Sequence, residues 1–142
     1  LGAELLIETL PNYCAGEITP MPQNDAEATY SKLLKKAAGH IDWSRSAEEI
    51  ERMVRAFNPW PGAYAFWRKG SRKLKIDVLK ADIISCTDSV ATGTVFSKND
   101  GITIRTSDGC LEISELRLEG KKTMDAKSFL NGHKDVVGSA LT

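Results

Sequence analysis

Residues 63–84, AYAFWRKGSRKLKIDVLKADII, form two runs of alternating apolar and polar side chains on either side of Gly70-Ser71. In the second run the apolar residues are Leu74, Ile76 and Val78, and the polar residues between them are Lys73, Lys75 and Asp77. Side chains on a strand point alternately to opposite faces, so a period of two indicates strands with one buried face. The stretch therefore predicts a β-hairpin, with strands at Ala63–Lys69 and Arg72–Ile84.

Three more strands are predicted downstream, at Gly93–Ser97, Ile102–Thr106 and Cys110–Leu118. Turn residues separate them, at 98–101 and at Ser107–Gly109. Five short antiparallel strands leave long unpaired edges if the sheet stays flat, and closure removes those edges. We therefore expect an α+β domain built on a small, open, OB-like antiparallel β-barrel.

A helix with a clear start precedes the hairpin. Ser46 followed by Glu49 is a capping box, and an apolar stripe follows at Ile50, Met53, Val54 and Phe57. This pattern predicts a helix from Ala47 to about Phe57, ended by the two prolines in residues 58–62. We expect Trp43 and Trp60, at the two ends of this helix, to pack into the core. Two partners are open for Arg55, the carboxylate of Asp42 or a ligand outside the chain.

Outside this central region the sequence predicts shorter elements. In residues 1–17, Leu5, Leu6 and Leu10 have the spacing of one face of a helix. We interpret this segment as a docking helix that has already begun at Leu1. Residues 18–27 contain Pro20 and Pro22 and are interpreted as an extended linker. Residues 28–142 then form the barrel domain, with short helices at Ala28–Lys36 and Asp125–Asn131 and a frayed tail after Gly132.

Composition excludes several classes of protein. The 142 residues are 42% hydrophobic and 27% charged, as in a folded soluble domain. No apolar run approaches the roughly 18 residues of a membrane span, so we expect a cytosolic protein without membrane partners. Cys14, Cys86 and Cys110 have no Cys-x-x-Cys spacing, which predicts buried or half-buried thiols rather than a disulfide framework or a metal site. His40 and His133 belong to no nucleophile–base–acid set, so no catalytic residue is predicted.

Basic residues cluster around the hairpin, where six bases accompany the single acid Asp77. They are Arg68, Lys69, Arg72, Lys73, Lys75 and Lys80. A basic strand face beside Trp67 and Tyr64 is typical of proteins that bind a phosphate backbone and stack on bases. The alternative is a lysine-guarded edge strand that prevents aggregation. Lys32, Lys35 and Lys36 form a second basic cluster, which is either part of the same RNA-binding surface or a solvated helix face.

Several motifs carry a resemblance to a known family. Residues 40–44, HIDWS, and residues 54–63, VRAFNPWPGA, resemble the C-terminal portion of methionyl-tRNA formyltransferases. Residues 18–23, ITPMPQ, 120–124, GKKTM, and 129–132, FLNG, fall where that family has similar motifs, so the resemblance covers essentially the whole chain. Sugar-nucleotide formyltransferases share the Ile-Asp-Trp and Pro-Gly-Ala elements, so a domain of that kind without an RNA role is the alternative.

The resemblance implies a two-domain cytosolic enzyme that transfers a formyl group from 10-formyltetrahydrofolate to the amino group of methionine on initiator tRNA. Its catalytic residues lie in a Rossmann-like N-terminal domain upstream, so this chain is expected to bind no cofactor itself. Residues 1–17 match the last helix of that domain, and the barrel offers a basic face to the tRNA. We expect a monomer. The predicted tRNA-binding residues are Lys32, Lys35, Lys36, Arg68, Lys69, Arg72, Lys73 and Lys75.

Overall fold

The computed structural model describes residues 1–86, 89–98 and 101–142, and the chain forms two compact units, Leu1–Leu33 and Leu34–Thr142. The first unit contains helix α1, Gly2–Cys14, in which Pro11 lies inside the helix rather than ending it. A short 3-10 helix follows at Asp25–Glu27. Its start is capped by the side chain of Asn24, which accepts a hydrogen bond from the amide of Ala26.

The helix predicted at Ala28–Lys36 is wrong. Residues 28–35 are not helical, and a 3-10 helix at Lys36–Gly39 comes next. Residues 28–36 are all exposed, so a helix there would bury no apolar face. Packing of such a face is what offsets the cost of nucleating a short helix, and without it the extended form is favoured.

The second unit is built on a curled antiparallel sheet that forms an open half-barrel. Its strands in the described part of the chain are β1 (Ala63–Lys69), β2 (Arg72–Ile84), β3 (Val95–Lys98), β4 (Gly101–Arg105), β5 (Cys110–Leu118) and β6 (Thr123–Asp125). The order across the sheet is β1-β2-β5-β4-β3, and β6 pairs with β5. The predicted open barrel is confirmed.

The strands agree with the sequence prediction to different degrees. The hairpin is confirmed with its predicted bounds, and Lys69 pairs with Arg72 across a turn in which Gly70 has a φ of 60°. β3 and β4 are displaced by one or two residues, and the predicted turn at 98–101 includes residues 99 and 100, which lie outside the described residues. β6 was not predicted because three residues are too few to show a period.

Two helices pack on the sheet. Helix α2, Ala47–Phe57, contacts β2, and helix α3, Ala126–Gly132, contacts β4, β5 and β6. The core contains inward-facing side chains of the strands together with one side of each helix. Its largest fully buried members include Trp67, Phe129, Ile41, Ile50, Ile104, Leu111, Ile113 and Leu116. Burial of this continuous apolar surface is the main favourable contribution to the stability of the half-barrel.

The predicted start of α2 is confirmed. The hydroxyl of Ser46 accepts a hydrogen bond from the amide of Glu49 at 3.1 Å, and the Glu49 carboxylate accepts from the amide of Ser46 at 3.3 Å. A third cap comes from the turn between β4 and β5, where Asp108 accepts from the amide of Ala47 at 2.9 Å. The amphipathic stripe is also present, with Ile50 and Val54 buried.

The two tryptophans that flank α2 have different environments. Trp43 is 5% exposed and lies in the core, as predicted. The prediction that Trp60 is a core residue is wrong, because it is 56% exposed. The amide of Gly62 donates to the carbonyl of Phe57, which closes the loop that leads directly into β1. This tight turn leaves the indole of Trp60 on the outside.

The frayed tail predicted after Gly132 is also wrong. A 3-10 helix spans Lys134–Val136, and Val136 and Leu141 are buried. Thr142 and Phe66 exchange two backbone hydrogen bonds, at 2.6 and 2.9 Å, and the amide of Leu141 donates to the carbonyl of Gly93. The tail therefore bridges β1 and the start of β3, where edge strands present backbone groups that need partners.

The prediction of three buried or half-buried thiols is wrong. Cys86 and Cys110 form a disulfide, with their Cα atoms 5.9 Å apart, and Cys14 is exposed. The pairing of β2 with β5 places Ile84 opposite Cys110 and so brings Cys86 within reach. The two cysteines are 24 residues apart in sequence, and the register that joins them is a property of the folded sheet.

Candidate nucleic-acid interface

The outward side of β1, β2 and β5 carries a cluster of basic and aromatic side chains, here called the basic-aromatic face. It consists of Tyr64, Phe66, Arg68, Lys73, Lys75, Asp77 and Arg117. The strand registers bring them together, because Tyr64 lies opposite Asp77, Phe66 opposite Lys75, and Arg68 opposite Lys73. Asp77 in turn lies opposite Arg117 on β5. The face therefore spans three adjacent strands.

The aromatic rings of this face are covered by lysines. The Nζ atom of Lys73 lies 3.9 Å from the centroid of the Phe66 ring, and that of Lys75 lies 4.5 Å from the Tyr64 ring. The imidazole of His40 adds a third ring, 5.4 Å from Tyr64 and 5.6 Å from Phe66. Such cation–π contacts contribute about 0.5–1 kcal/mol each at exposed sites, and they hold both ammonium groups over the sheet.

Asp77 is the acid at the centre of the face. Its carboxylate accepts from Lys75 Nζ at 2.7 Å and from Arg117 Nη2 and Nε at 2.8 and 3.1 Å. Burial raises the pKa of this carboxyl, but the hydrogen bonds and charges of Lys75 and Arg117 together lower it more, so its pKa lies below the ordinary value. Asp77 thus stays ionised and holds two cations in fixed positions.

Arg117 was not predicted as a member of the face. It is exposed on β5, 40 residues from Asp77 in sequence. The alternation along β5, in which Leu116 and Leu118 are buried, identifies Arg117 as an outward residue. Its pairing with Asp77 depends on the register between β2 and β5 and has no local signal.

The predicted bases of the hairpin divide into two groups. The first group forms ion pairs with carboxylates. Lys69, on the same side of β1 as Trp67, pairs with Asp135 at 3.0 Å, and Lys80 pairs with Glu115 at 3.2 Å. A second group has no carboxylate within ion-pair distance among the described residues. Its members are Arg68, Arg72 and Lys73, all of them exposed. These three cations have the charge most available to an external anion.

The second predicted basic cluster is divided between the two units. Lys32 belongs to the first unit, and Lys35 and Lys36 belong to the second; all three are exposed. Lys36 begins the 3-10 helix that ends at Gly39, and a Cβ at Gly39 would overlap the carbonyl oxygen of Gly62. Lys35 and Lys36 therefore belong to a segment that adjoins the loop before β1.

Two other side chains differ from their predicted roles. Trp67, expected to be available for base stacking, is 1% exposed and packs edge-on against Phe129 and His133. Arg55 forms a salt bridge with Glu51, one turn earlier on α2, rather than with Asp42. Hydrogen bonding to Glu51 raises the pKa of Arg55, so its guanidinium stays charged.

His133 has a packing role, and the described residues contain neither a metal-binding cluster nor a membrane-spanning helix. His133 packs between Phe129 and Trp67, with Lys69 Nζ 3.4 Å from its Nδ1 atom. Within residues 1–86, 89–98 and 101–142, no group of three or more His, Cys, Asp or Glu side chains is placed to hold a metal ion. Across the same described ranges, no helix has both the length and the hydrophobicity required to cross a bilayer.

An open antiparallel half-barrel with a capped helix on it, and with a basic outer face, defines a class of small α+β domains with a surface suited to a polyanion. Residues 33–134 match the sequence model of the family described as "Formyl transferase, C-terminal domain". This match covers more than half of the chain. The chain therefore belongs to the formyltransferase C-terminal domain family.

Several relatives of this chain are named methionyl-tRNA formyltransferase. The protein from Lachnospira eligens is 44% identical over 146 residues, which covers 99% of this chain and 45% of that protein. The protein from Chloroflexus aurantiacus is 41% identical over 138 residues, covering 95% of this chain and 43% of the relative. The chain thus spans less than half the length of the relatives it matches.

Solved structures show the same fold. HypX from Aquifex aeolicus, in complex with tetrahydrofolic acid, superposes with a TM-score of 0.59 at 20% identity. The superposition covers 94% of this chain and 23% of HypX. At this identity the similarity concerns the fold alone.

Proposed function

We propose that this chain is the C-terminal, tRNA-holding part of a methionyl-tRNA formyltransferase, and that its basic-aromatic face contacts the phosphate backbone of initiator methionyl-tRNA. The observation that carries the proposal is a group of exposed cations without a carboxylate partner among the described residues, Arg68 and Lys73 on this face and Arg72 at the adjoining start of β2. They lie beside Lys75 and Arg117, which Asp77 holds in place. Relatives of that name are 41% and 44% identical to this chain over 95% and 99% of its length.

The whole enzyme would transfer a formyl group from 10-formyltetrahydrofolate to the amino group of methionine on the tRNA, in the cytoplasm, at the start of protein synthesis. The reaction itself would take place in an N-terminal catalytic domain of the same chain, of which α1 is the last helix. The share of each relative that this chain covers, 43–45%, supports that division. We further propose that the protein acts as a monomer.

The structure gives a reason to prefer phosphate binding over edge protection for the basic cluster. Lys73, Lys75 and Arg117 lie on β2 and β5, which are internal strands of the sheet. The edge strand β1 already has backbone partners, because its residues Tyr64 and Phe66 bond to Ile41 and Thr142. Lysines that only prevented aggregation would be needed on an unpaired edge, not on internal strands.

The charges of the face also suit a phosphate backbone. Arg117 and Lys75 are held by Asp77, and Lys73 is held over Phe66, so these cations lose little side-chain entropy on binding. Contacts of this kind position an RNA without reading its sequence. The proposal therefore assigns to this chain the holding of the tRNA, not the choice of initiator tRNA.

The test is the salt dependence of binding between this chain and initiator tRNA. Replacing Arg68, Arg72 and Lys73 by alanine removes three phosphate contacts, so the slope of log Kobs against log salt should become shallower by about 2 to 3. A matched control is the triple alanine variant of Arg52, Arg55 and Lys80, which removes the same charge from bases that pair with Glu48, Glu51 and Glu115. Its slope should stay close to that of the unchanged chain.

Equal slopes for the two triple variants would show that net charge, and not the position of these three bases at the hairpin, governs binding, and would refute the proposal. Absence of binding above background in the unchanged chain would favour the alternative, a sugar-nucleotide formyltransferase domain without an RNA role. Circular dichroism of each variant would confirm that the fold is retained.

A further inference from the structure

Trp60 is the most exposed large apolar side chain of the second unit among the described residues. Pro59 and Pro61 flank it and fix the backbone φ angle on both sides, and the hydrogen bond from Gly62 to Phe57 closes the loop. The indole is therefore presented to solvent by a stiff loop. A ring held in this way loses little conformational entropy when it binds a ligand.

The neighbours of this loop are basic. The close approach of Gly39 to Gly62 sets the segment with Lys35 and Lys36 beside the loop, and the amide of Ile41 donates to the carbonyl of Tyr64 at 2.8 Å. Tyr64, four residues after Trp60, is the first outward side chain of the basic-aromatic face. The loop that carries Trp60 thus adjoins the segment with Lys35 and Lys36 and leads directly into the strand that begins the basic-aromatic face.

The other aromatic rings of the region are occupied. Lysine ammonium groups cover Tyr64 and Phe66, and Trp67 is buried. Within the described part of the chain, the indole of Trp60 has neither a ring nor a cation packed on it. Around this loop, in the described part of the chain, it is an exposed ring with both flat faces open to a ligand.

We infer that Trp60 stacks on an unpaired nucleobase of the RNA whose backbone the basic-aromatic face holds. Stacking requires a flat, exposed ring, and nearby cations attract the phosphates that flank the base. This inference rests on the proposed function and adds a contact of a different kind. Phosphate contacts are shared by paired and unpaired RNA, whereas an indole can stack only on a base that is free of its helix.

The test uses the 142-residue chain with two probes, a blunt RNA duplex and the same duplex with a single-stranded 3′ overhang. Trp43 and Trp67 are buried, so quenching of exposed indole emission reports on Trp60. We expect quenching with the overhang probe only. Trp60→Ala should weaken binding of the overhang probe by on the order of tenfold without changing its salt slope, and Trp60→Phe should retain most of the affinity. Ile83→Ala, at another exposed apolar residue, is the matched control and should bind like the unchanged chain.

Several outcomes would overturn the inference. If Trp60→Ala binds the overhang probe as tightly as the unchanged chain does, the stacking contact is refuted. If the Arg68, Arg72 and Lys73 variant still has a shallower salt slope in the same experiment, the proposed function remains intact. Equal losses for both probes would show that the indole does not select unpaired bases. If the Trp60 emission is shielded from quenching before RNA is added, and this shielding depends on protein concentration, a second copy of the chain covers Trp60. Absence of binding to either probe would overturn the proposed function as well.

Discussion

Asp77 is the residue whose replacement tests the organisation of the basic-aromatic face most directly. Its carboxylate is largely buried and accepts three charge-assisted hydrogen bonds, one from Lys75 and two from Arg117. Asp77→Asn keeps the size of the side chain but removes its charge. The two cations then remain next to each other without a counter-charge.

The expected loss follows from these contacts. A hydrogen bond to a charged group contributes about 1.5–3 kcal/mol, but Lys75 and Arg117 are partly exposed and water compensates for part of the loss. We therefore expect Asp77→Asn to lower the free energy of unfolding by about 2 kcal/mol at neutral pH. Asp135→Asn is the matched control, because Asp135 forms a more exposed pair with Lys69 and its replacement should lower the free energy of unfolding by clearly less.

The pH dependence gives a second, independent check. The pKa of Asp77 is lower in the folded protein than its unfolded value of about 3.9, so its stabilisation is fully present above that value. It is lost as the pH falls through the folded-state pKa, where the carboxylate is protonated. The stability difference between the unchanged chain and Asp77→Asn should therefore shrink in acid.

The assay is urea unfolding followed by the fluorescence of the buried residues Trp43 and Trp67, at neutral pH and at several acidic values. A loss for Asp77→Asn no larger than that for Asp135→Asn would refute the argument. So would a difference between Asp77→Asn and the unchanged chain that stays constant as the pH falls, because it would not arise from the carboxylate charge.

Two further predictions concern the scaffold. Ser46→Ala removes the hydroxyl cap of α2 and should lower the unfolding free energy by about 1 kcal/mol in the same urea assay. No loss would mean that the Asp108 cap alone holds the helix start. Leu141→Ala should cost about 2–5 kcal/mol because this tail residue is buried between β1 and β3, whereas the exposed Val137→Ala should cost much less. Similar values for these two variants would contradict an integral role of the tail.

The sequence predicted the elements whose signals are local. The hairpin was predicted with its bounds because a period of two and the turn at Gly70-Ser71 occur within 22 consecutive residues. The capping box was predicted because both of its partners lie within one helical turn. The helix expected at Ala28–Lys36 was wrong because helical propensity without a buried face is a weak signal.

The candidate interface was predicted in part. Lys73 and Lys75 share one face, as the alternation along the second strand indicated, and the strand register adds Arg68 to it. Lys69 lies on the other side of β1. The composition of the patch could not show which of its bases have partners. Arg117 joined the face only through the pairing of β2 with β5.

The sequence by itself determined the class of fold, the hairpin, the start of α2 and the family, because each depends on short-range patterns or on motifs that stand in the chain as written. Only the tertiary structure decided that Trp60 is exposed, that Trp67 is buried, that Asp77 holds two cations and that the C-terminal tail bridges β1 and β3. The physical reason is common to all four. Burial and ion pairing depend on which distant segments meet, and that is set by strand order and register across the curled sheet.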